Sequence, residues 1–550
     1  MIKKDNTLKH VLILTVISYL FFMFGNSIVT LTDPDEVFYS LSAKEMVKQG
    51  TWLTPYLFGQ PQFEKPIFLF WLLRVAYLLF GITSFAARFF PALFGMAGVV
   101  GAYFLAKIGF KSENKAFICA LVLMSSGLYI GLSRTVFTDM IFSVFILFSL
   151  LSFYWGYMNR EKKSVSIILF SCFSALAVLT KGVLGFFIPF LVVVSFLSAR
   201  REMKYLLCRD VLWGGLLLAV MSLPWYMFMV KEYNGGFIHE FFYNDHIRRF
   251  IEAEHLGNDT WYFYPLSMIA CMFPWSIFVA VALFLLIKNI RRLDQLHLFL
   301  ACWIGVVFLV FQPAHSKLVS YIFPLFPALA LAGGSLIYDT ALFENKNRTF
   351  FILSLITWAI LLLFPIGVIF AAKKYPDYVP NALPLYYFAG IFCVLLVSAL
   401  LSIMKYKFRR TVYLFSVSIW LFFLVIPFTK GDFEPFVASK AASEYLLKNY
   451  DIKNTILTSK FNARGVRFYT DKEVAVVDIS GKNFFSPHPV PYFSAAPELK
   501  EFLARQGVTY CVVKKSVLDE FDRLRSQGFD YSVLEKIGNV VIVRVEAKTG

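Results

Sequence analysis

A succession of apolar runs, at about residues 9–29, 86–107, 115–132, 137–157, 164–179, 183–198, 209–229, 262–288, 296–311, 318–338, 349–371, 385–404 and 410–429, governs what this chain can fold into. Most approach the ~20 residues a helix needs to cross a hydrocarbon core about 30 Å thick. Lipid offers no partner to backbone N–H and C=O groups, so such segments cross as helices, whose hydrogen bonds are internal. With 58% hydrophobic and 16% charged residues, the chain is far from soluble domains, which average about 45–50% and about 25%. The expected fold class is a polytopic α-helical membrane protein with about 13 transmembrane helices, interfacial helices in the first external loop (30–85) and a C-terminal soluble α/β domain. The expected boundaries are 1–430 for the transmembrane domain and 431–550 for the α/β domain.

The net charge of +17 would suggest nucleic acid in a soluble protein, but here its distribution excludes that partner. Basic clusters fall in alternate loops: Lys3/Lys4/Lys9, Lys107/Lys111/Lys115, Arg160/Lys162/Lys163, Arg200/Arg201/Lys204/Arg209, Lys288/Arg291/Arg292, Lys346/Arg348 and Lys405/Lys407/Arg409/Arg410. The positive-inside rule puts these on the cytoplasmic side. That assignment requires that Pro66–Phe80, a run of about 15 residues interrupted by Arg74, does not cross. It reads as an interfacial or re-entrant helix, with the N-terminus inside, an uncleaved first span, and the C-terminal domain outside.

Beyond about residue 431 soluble polarity returns. Helical patterns at 437–449 and 497–506 alternate with β-rich runs at 454–458, 474–478, 508–513 and 540–545. Seven cysteines show no CxxC pair, and all but Cys511 lie in or beside apolar runs, so no disulfide framework or thiolate metal site is implied. There is no Walker loop, dinucleotide-binding turn, HExxH or GxSxG motif. Energy for any chemistry must therefore arrive in a membrane-borne substrate or as an electrochemical gradient.

The polar residues on the external side then need a reason. Asp33-Pro34-Asp35-Glu36 sets three carboxylates in four residues directly after the first span. They can cap the amphipathic helix that follows and meet its dipole, or serve as general base or metal ligand. Glu64-Lys65-Pro66 precedes the interfacial helix, where lysine can snorkel or bind phosphate as a point charge. Arg134, Asp139, Lys181 and Lys317 with Tyr321 occupy short external turns, and cations there run against the positive-inside bias. Asp245-His246-x-Arg248-Arg249 adds two arginines suited to bidentate phosphate recognition.

Together these motifs resemble a family. Asp35-Glu36-x-x-Tyr39, Phe63-Glu64-Lys65-Pro66, Ala86-Ala87-Arg88, Thr138-Asp139-Met140, Thr180-Lys181-Gly182, Asp245-His246-x-x-Arg249-Phe250 and Ser316-Lys317-Leu318-x-x-Tyr321 look like the aminoarabinose (4-amino-4-deoxy-L-arabinose) lipid A transferases. These are type C integral-membrane glycosyltransferases related to protein O-mannosyltransferases. The resemblance runs over about residues 1–330. It implies an enzyme of the bacterial inner membrane that transfers a sugar, with inversion, from an undecaprenyl phosphate carrier to lipid A or another envelope acceptor at the periplasmic face, acting as a monomer among membrane lipids.

By the same resemblance Asp35, Glu36 and Asp139 would be catalytic, and Lys65, Lys181, Arg248 and Arg249 would hold the donor phosphate. Asp33, Tyr39, Lys317 and Tyr321 would line the cavity for the acceptor. Glu64 and His246 match a pair that can hold a divalent metal such as zinc; no cofactor is required. One position departs: Phe38 stands where the family pattern has arginine, which bears on the sugar and acceptor more than on the reaction type, and Arg248 is an extra base that could compensate. Two other readings stay open. One is transfer of mannose or another hexose to protein from a polyprenyl phosphate; the other, from a different class, is a transporter or flippase for an anionic lipid, against which the absence of inverted repeats argues.

Overall fold

The computed structural model describes residues 5–248, 251–252, 258–342, 348–376, 381–478, 490–526 and 528–547. Among these, eight helices are long and apolar enough to cross a membrane, nine if Glu113–Met124 and Gly127–Ser133, which meet at 67°, form one broken span. The eight include Ser84–Phe110, Thr138–Met158, Arg348–Lys374 and Leu383–Met404. Five shorter apolar helices accompany them: Thr7–Met23, Phe68–Phe80, Leu184–Ala199, Ser276–Lys288 and Gln295–Phe311.

Local chemistry starts several of these helices. Thr83 accepts from the Ala86 N–H at 3.1 Å, and Asp294 accepts from the His297 N–H at 2.8 Å, satisfying donors the helix itself leaves orphaned. Gly50 ends the helix Asp35–Gln49 at φ 71°, a conformation that suits a residue without Cβ.

Phe68–Phe80 holds 13 residues, about 20 Å of helix, short of a hydrocarbon core. Its Arg74 is buried against the first loop: Nη1 donates to the Met46 carbonyl at 2.8 Å, and the guanidinium lies 4.1 Å from the centre of the Trp52 ring. The helix Asp35–Gln49 differs from the one-sided pattern its sequence shows, because every residue from Glu36 to Met46 is buried. One side packs on Phe68–Phe80; the helix Ala463–Thr470 of the C-terminal region covers the other, where Lys44 pairs with Asp471 at 2.7 Å and Glu45 with Arg467 at 3.7 Å.

A small antiparallel pair, β1 (Tyr56–Leu57) and β2 (Gln60–Pro61), shapes the first loop. The C-terminal region carries a six-stranded sheet of β3 (Ile456–Ser459), β4 (Val474–Val477), β5 (Tyr492–Phe493), β6 (Val508–Lys514), β7 (Phe529–Ile537) and β8 (Val540–Ala547), in the order β5-β4-β3-β6-β8-β7. The first four strands are parallel; β8 runs antiparallel to both β6 and β7. Period-two alternation sends Leu457, Cys511 and Val543 to a core with Leu499 and Leu503 of the helix Ala496–Gln506. Ile456, Val512 and Ile542 face the opposite way, into a core continuous with the helical bundle.

Candidate active site

The first loop is anchored through Glu36. This carboxylate has no exposed surface and accepts from Arg88 Nε at 2.8 Å, Arg88 Nη2 at 2.7 Å, the Thr32 N–H at 3.0 Å, Thr32 Oγ1 at 2.9 Å and the Val136 N–H at 3.0 Å. Burial alone would raise its pKa, but the guanidinium outweighs that and holds the carboxyl below its ordinary value. Arg88 in turn donates to the carbonyls of Asn26, Val29 and Thr30 at 3.1, 2.7 and 2.8 Å. Glu36 thus has its lone pairs occupied and fixes the end of the first span to the helix Ser84–Phe110. Asp35, one residue earlier and at the start of its helix, is exposed.

Tyr39 lies one turn further along the same helix, buried among Phe38, Phe70 and Phe137 at ring separations of 4.9, 6.2 and 6.1 Å. Burial, followed by the charges of Asp139 and Asp35 and, more weakly, Glu64, pushes its phenol well above the ordinary value. Three of the candidate acids therefore act on one hydroxyl, which stays protonated. Asp139, near the start of Thr138–Met158, forms an ion pair with Lys181 at the end of Lys163–Lys181. The Lys181 ammonium also sits 5.2 Å from the centre of the Tyr321 ring and 5.7 Å from that of Phe142. Four segments distant in sequence are thereby joined in one polar cluster.

The other candidates divide. Lys65, half-buried, donates to the Glu64 carbonyl at 3.0 Å. Lys317 is buried and paired with Asp259 at 3.1 Å, while His315 meets the other oxygen of that carboxylate at 2.8 Å. Arg248 Nε donates to Glu252 at 3.0 Å on the surface. Arg249 lies outside the described residues, as do the side chains of Asp245 and His246. Among the described residues no three His, Cys, Asp or Glu side chains gather to hold a metal ion.

Asp33 points away from the cluster, toward the C-terminal region. It accepts from the Ser439 N–H at 2.7 Å and from the Ser439 hydroxyl, and its own N–H donates to the Val437 carbonyl at 2.9 Å. Burial pushes its carboxyl up to about 7, against the opposing influence of Ser439 and Arg464. The Arg464 guanidinium carbon lies 4.7 Å from the centre of the Phe38 ring. Arg88 and Asp259 are absent from the candidates read from the sequence, although a cation inside an apolar run and an acid just before the apolar run at 262–288 were each visible signals.

Residues 7–235 match the family model described as dolichyl-phosphate-mannose-protein mannosyltransferase. A protein of Aquifex aeolicus of undescribed activity is 30% identical over 447 residues, 80% of this chain and 83% of that protein. The undecaprenyl phosphate-alpha-4-amino-4-deoxy-L-arabinose arabinosyl transferase 2 of Proteus mirabilis is 29% identical over 324 residues, so the match spans 58% of its length. The crystal structure of ArnT from Cupriavidus metallidurans bound to undecaprenyl phosphate shares the fold, with a TM-score of 0.79 at 18% identity over 97% of each chain.

Proposed function

The chain belongs to the integral-membrane glycosyltransferases that join the aminoarabinose transferases to the protein mannosyltransferases, and we propose that it transfers a sugar, aminoarabinose, from undecaprenyl phosphate to lipid A. The observation that carries this reading is the cluster in which the Asp139–Lys181 pair and the Asp35–Tyr39 turn meet beside a membrane-embedded bundle.

In the reaction the bond between sugar C1 and the carrier phosphate oxygen breaks as an acceptor oxygen bonds to the opposite face of C1, so the configuration inverts. The electron pair leaves on the phosphate. Lys65 and Lys181, with Arg248 and Arg249 from the 238–252 segment, would stabilise the growing negative charge in a site partly screened from water. Asp35, exposed at the helix start, would orient the acceptor and take its proton where it carries one. An acceptor phosphate is already anionic at neutral pH, and for it Asp35 chiefly positions. Tyr39, kept protonated by burial and by the neighbouring carboxylates, would donate a hydrogen bond to the sugar or the leaving oxygen. Glu36 acts through Arg88 as a positioning residue, and Lys317 and Tyr321 belong to the cavity wall. In the same proposal Glu64 and His246 would hold a zinc ion, which would add positive charge beside the departing phosphate.

The thirteen-span topology takes the eight long helices, the broken span and the four short apolar helices other than Phe68–Phe80. It places the N-terminus in the cytoplasm, and the cluster and C-terminal domain in the periplasm, of a protein that functions as a monomer. Mass spectrometry of lipid A from cells with and without the gene tests the acceptor: loss of the aminoarabinose adduct, together with increased polymyxin sensitivity, is expected. Unchanged lipid A would move the reading to a protein acceptor, which the family model over residues 7–235 favours as the second choice.

A further inference from the structure

The parallel part of the C-terminal sheet reverses its winding at β3. From β3 the chain proceeds outward to β4 and β5, and then returns to place β6 on the other flank of β3. The connecting helices Ala463–Thr470 and Ala496–Gln506 contribute to the cores on opposite faces. In open α/β sheets the crevice at the carboxyl ends of such diverging strands is where ligands bind.

A cavity of about 210 Å³ lies at that edge, lined by Phe461 and Asn462 after β3, Lys514 at the end of β6, Asn539 and Val540 at the β7–β8 turn, and the strap Pro435–Ala438. Its size suits a single sugar or phosphate group more than a drug-sized molecule, which needs roughly 300 Å³ or more. Three features define its chemistry. Asn462 is 5% exposed; its Nδ2 donates to Ser439 Oγ at 3.0 Å, but its Oδ1 is buried without a partner and needs a hydrogen-bond donor. The Lys514 ammonium is 5.0 Å from the centre of the Phe461 ring and offers a point charge for an anion. The rings of Phe461 and Phe436 supply apolar faces against which the C–H face of a pyranose can lie. A hydroxyl donor, an anion and a C–H face on one small molecule describe a phosphorylated sugar.

We propose that this crevice, distinct from the Asp35–Lys181 cluster, binds a phosphorylated sugar, either free or as the headgroup of a lipid. Asn462 is joined through Ser439 to Asp33, so the occupant is connected by hydrogen bonds to the loop that carries Asp35. Binding at this crevice is read without turnover and is independent of the transfer reaction.

The test titrates the full-length protein in detergent micelles with glucosamine 1-phosphate, glucosamine and inorganic phosphate, and separately with lipid A incorporated in the micelle, using calorimetry and the thermal unfolding midpoint. Expected is saturable binding of glucosamine 1-phosphate, tighter than either fragment and weakened at least tenfold in Lys514→Ala and in Asn539→Ala. Both are surface changes that leave the unliganded midpoint in place. Response to lipid A alone, lost in the same variants, also supports the site and makes the source a lipid. No response to either compound, equal binding of phosphate alone, or binding undiminished in both variants would overturn it.

Discussion

Arg464 of the C-terminal domain stacks on Phe38 of the first loop, with 4.7 Å between guanidinium carbon and ring centre. The same arginine lies close enough to Asp33 to favour its ionised form. A cation within about 6 Å of an aromatic face contributes roughly 0.5–2 kcal/mol. Arg464→Ala should therefore weaken docking of the C-terminal domain on the first loop by about 0.5–2 kcal/mol and lower the thermal unfolding midpoint, and Arg464→Lys should restore part of the loss. Thermal unfolding of the purified protein checks this; an unchanged midpoint in Arg464→Ala would show that the ring contact contributes nothing to the docking.

The Glu36–Arg88 pair predicts a different signature. Removing one partner of a buried ion pair leaves an uncompensated charge and typically costs about 3–5 kcal/mol. Glu36→Ala or Arg88→Ala should lower the thermal unfolding midpoint sharply, whereas Asp35→Asn, at an exposed position, should leave it in place. A stable Arg88→Ala protein would remove the loop anchor from the account.

Docking of the C-terminal domain should depend on pH through Asp33. Its carboxyl is pushed from 3.8 up to about 7 by burial. The unfolded chain releases this proton near pH 4 while the folded protein keeps it until about pH 7, so stabilisation is complete below about pH 4 and is lost as pH rises to about 7. The unfolding midpoint, or protease cleavage near residues 430–439, should follow that direction. Asp33→Asn, which cannot ionise, should flatten the dependence, and an unchanged profile in that variant would assign the titration elsewhere.

The multi-span helical character of the chain was legible because lipid imposes length and charge rules on contiguous sequence. Asp35, Asp139 and Lys181 could be noticed as polar residues at external turns, and Lys65 as a cation beside a short helix. What could not be read were partners supplied from afar. Glu36 meets Arg88 at a separation of 52 residues, and Asp33 meets Ser439 at 406. No local periodicity encodes these distances. For the same reason Asp35–Gln49 looked one-sided: its second covering, Ala463–Thr470, belongs to a helix that the β-rich tail pattern did not announce.

Topology rests on Phe68–Phe80 remaining at the interface. A reporter fused at residue 112, beyond Ser84–Phe110, should read cytoplasmic. A periplasmic signal there would invert every later loop and move the basic clusters outside.

The central claim is tested most directly by transfer with purified components: the protein in lipid or detergent, undecaprenyl phosphate-aminoarabinose as donor and lipid A as acceptor, with product measured by mass spectrometry. The wild-type protein should form modified lipid A and release undecaprenyl phosphate. Asp35→Asn and Lys65→Ala should each cut the rate by about 100-fold or more at unchanged unfolding midpoint. Full activity in both variants, or no transfer by the wild-type protein with either lipid A or a protein acceptor, would contradict it.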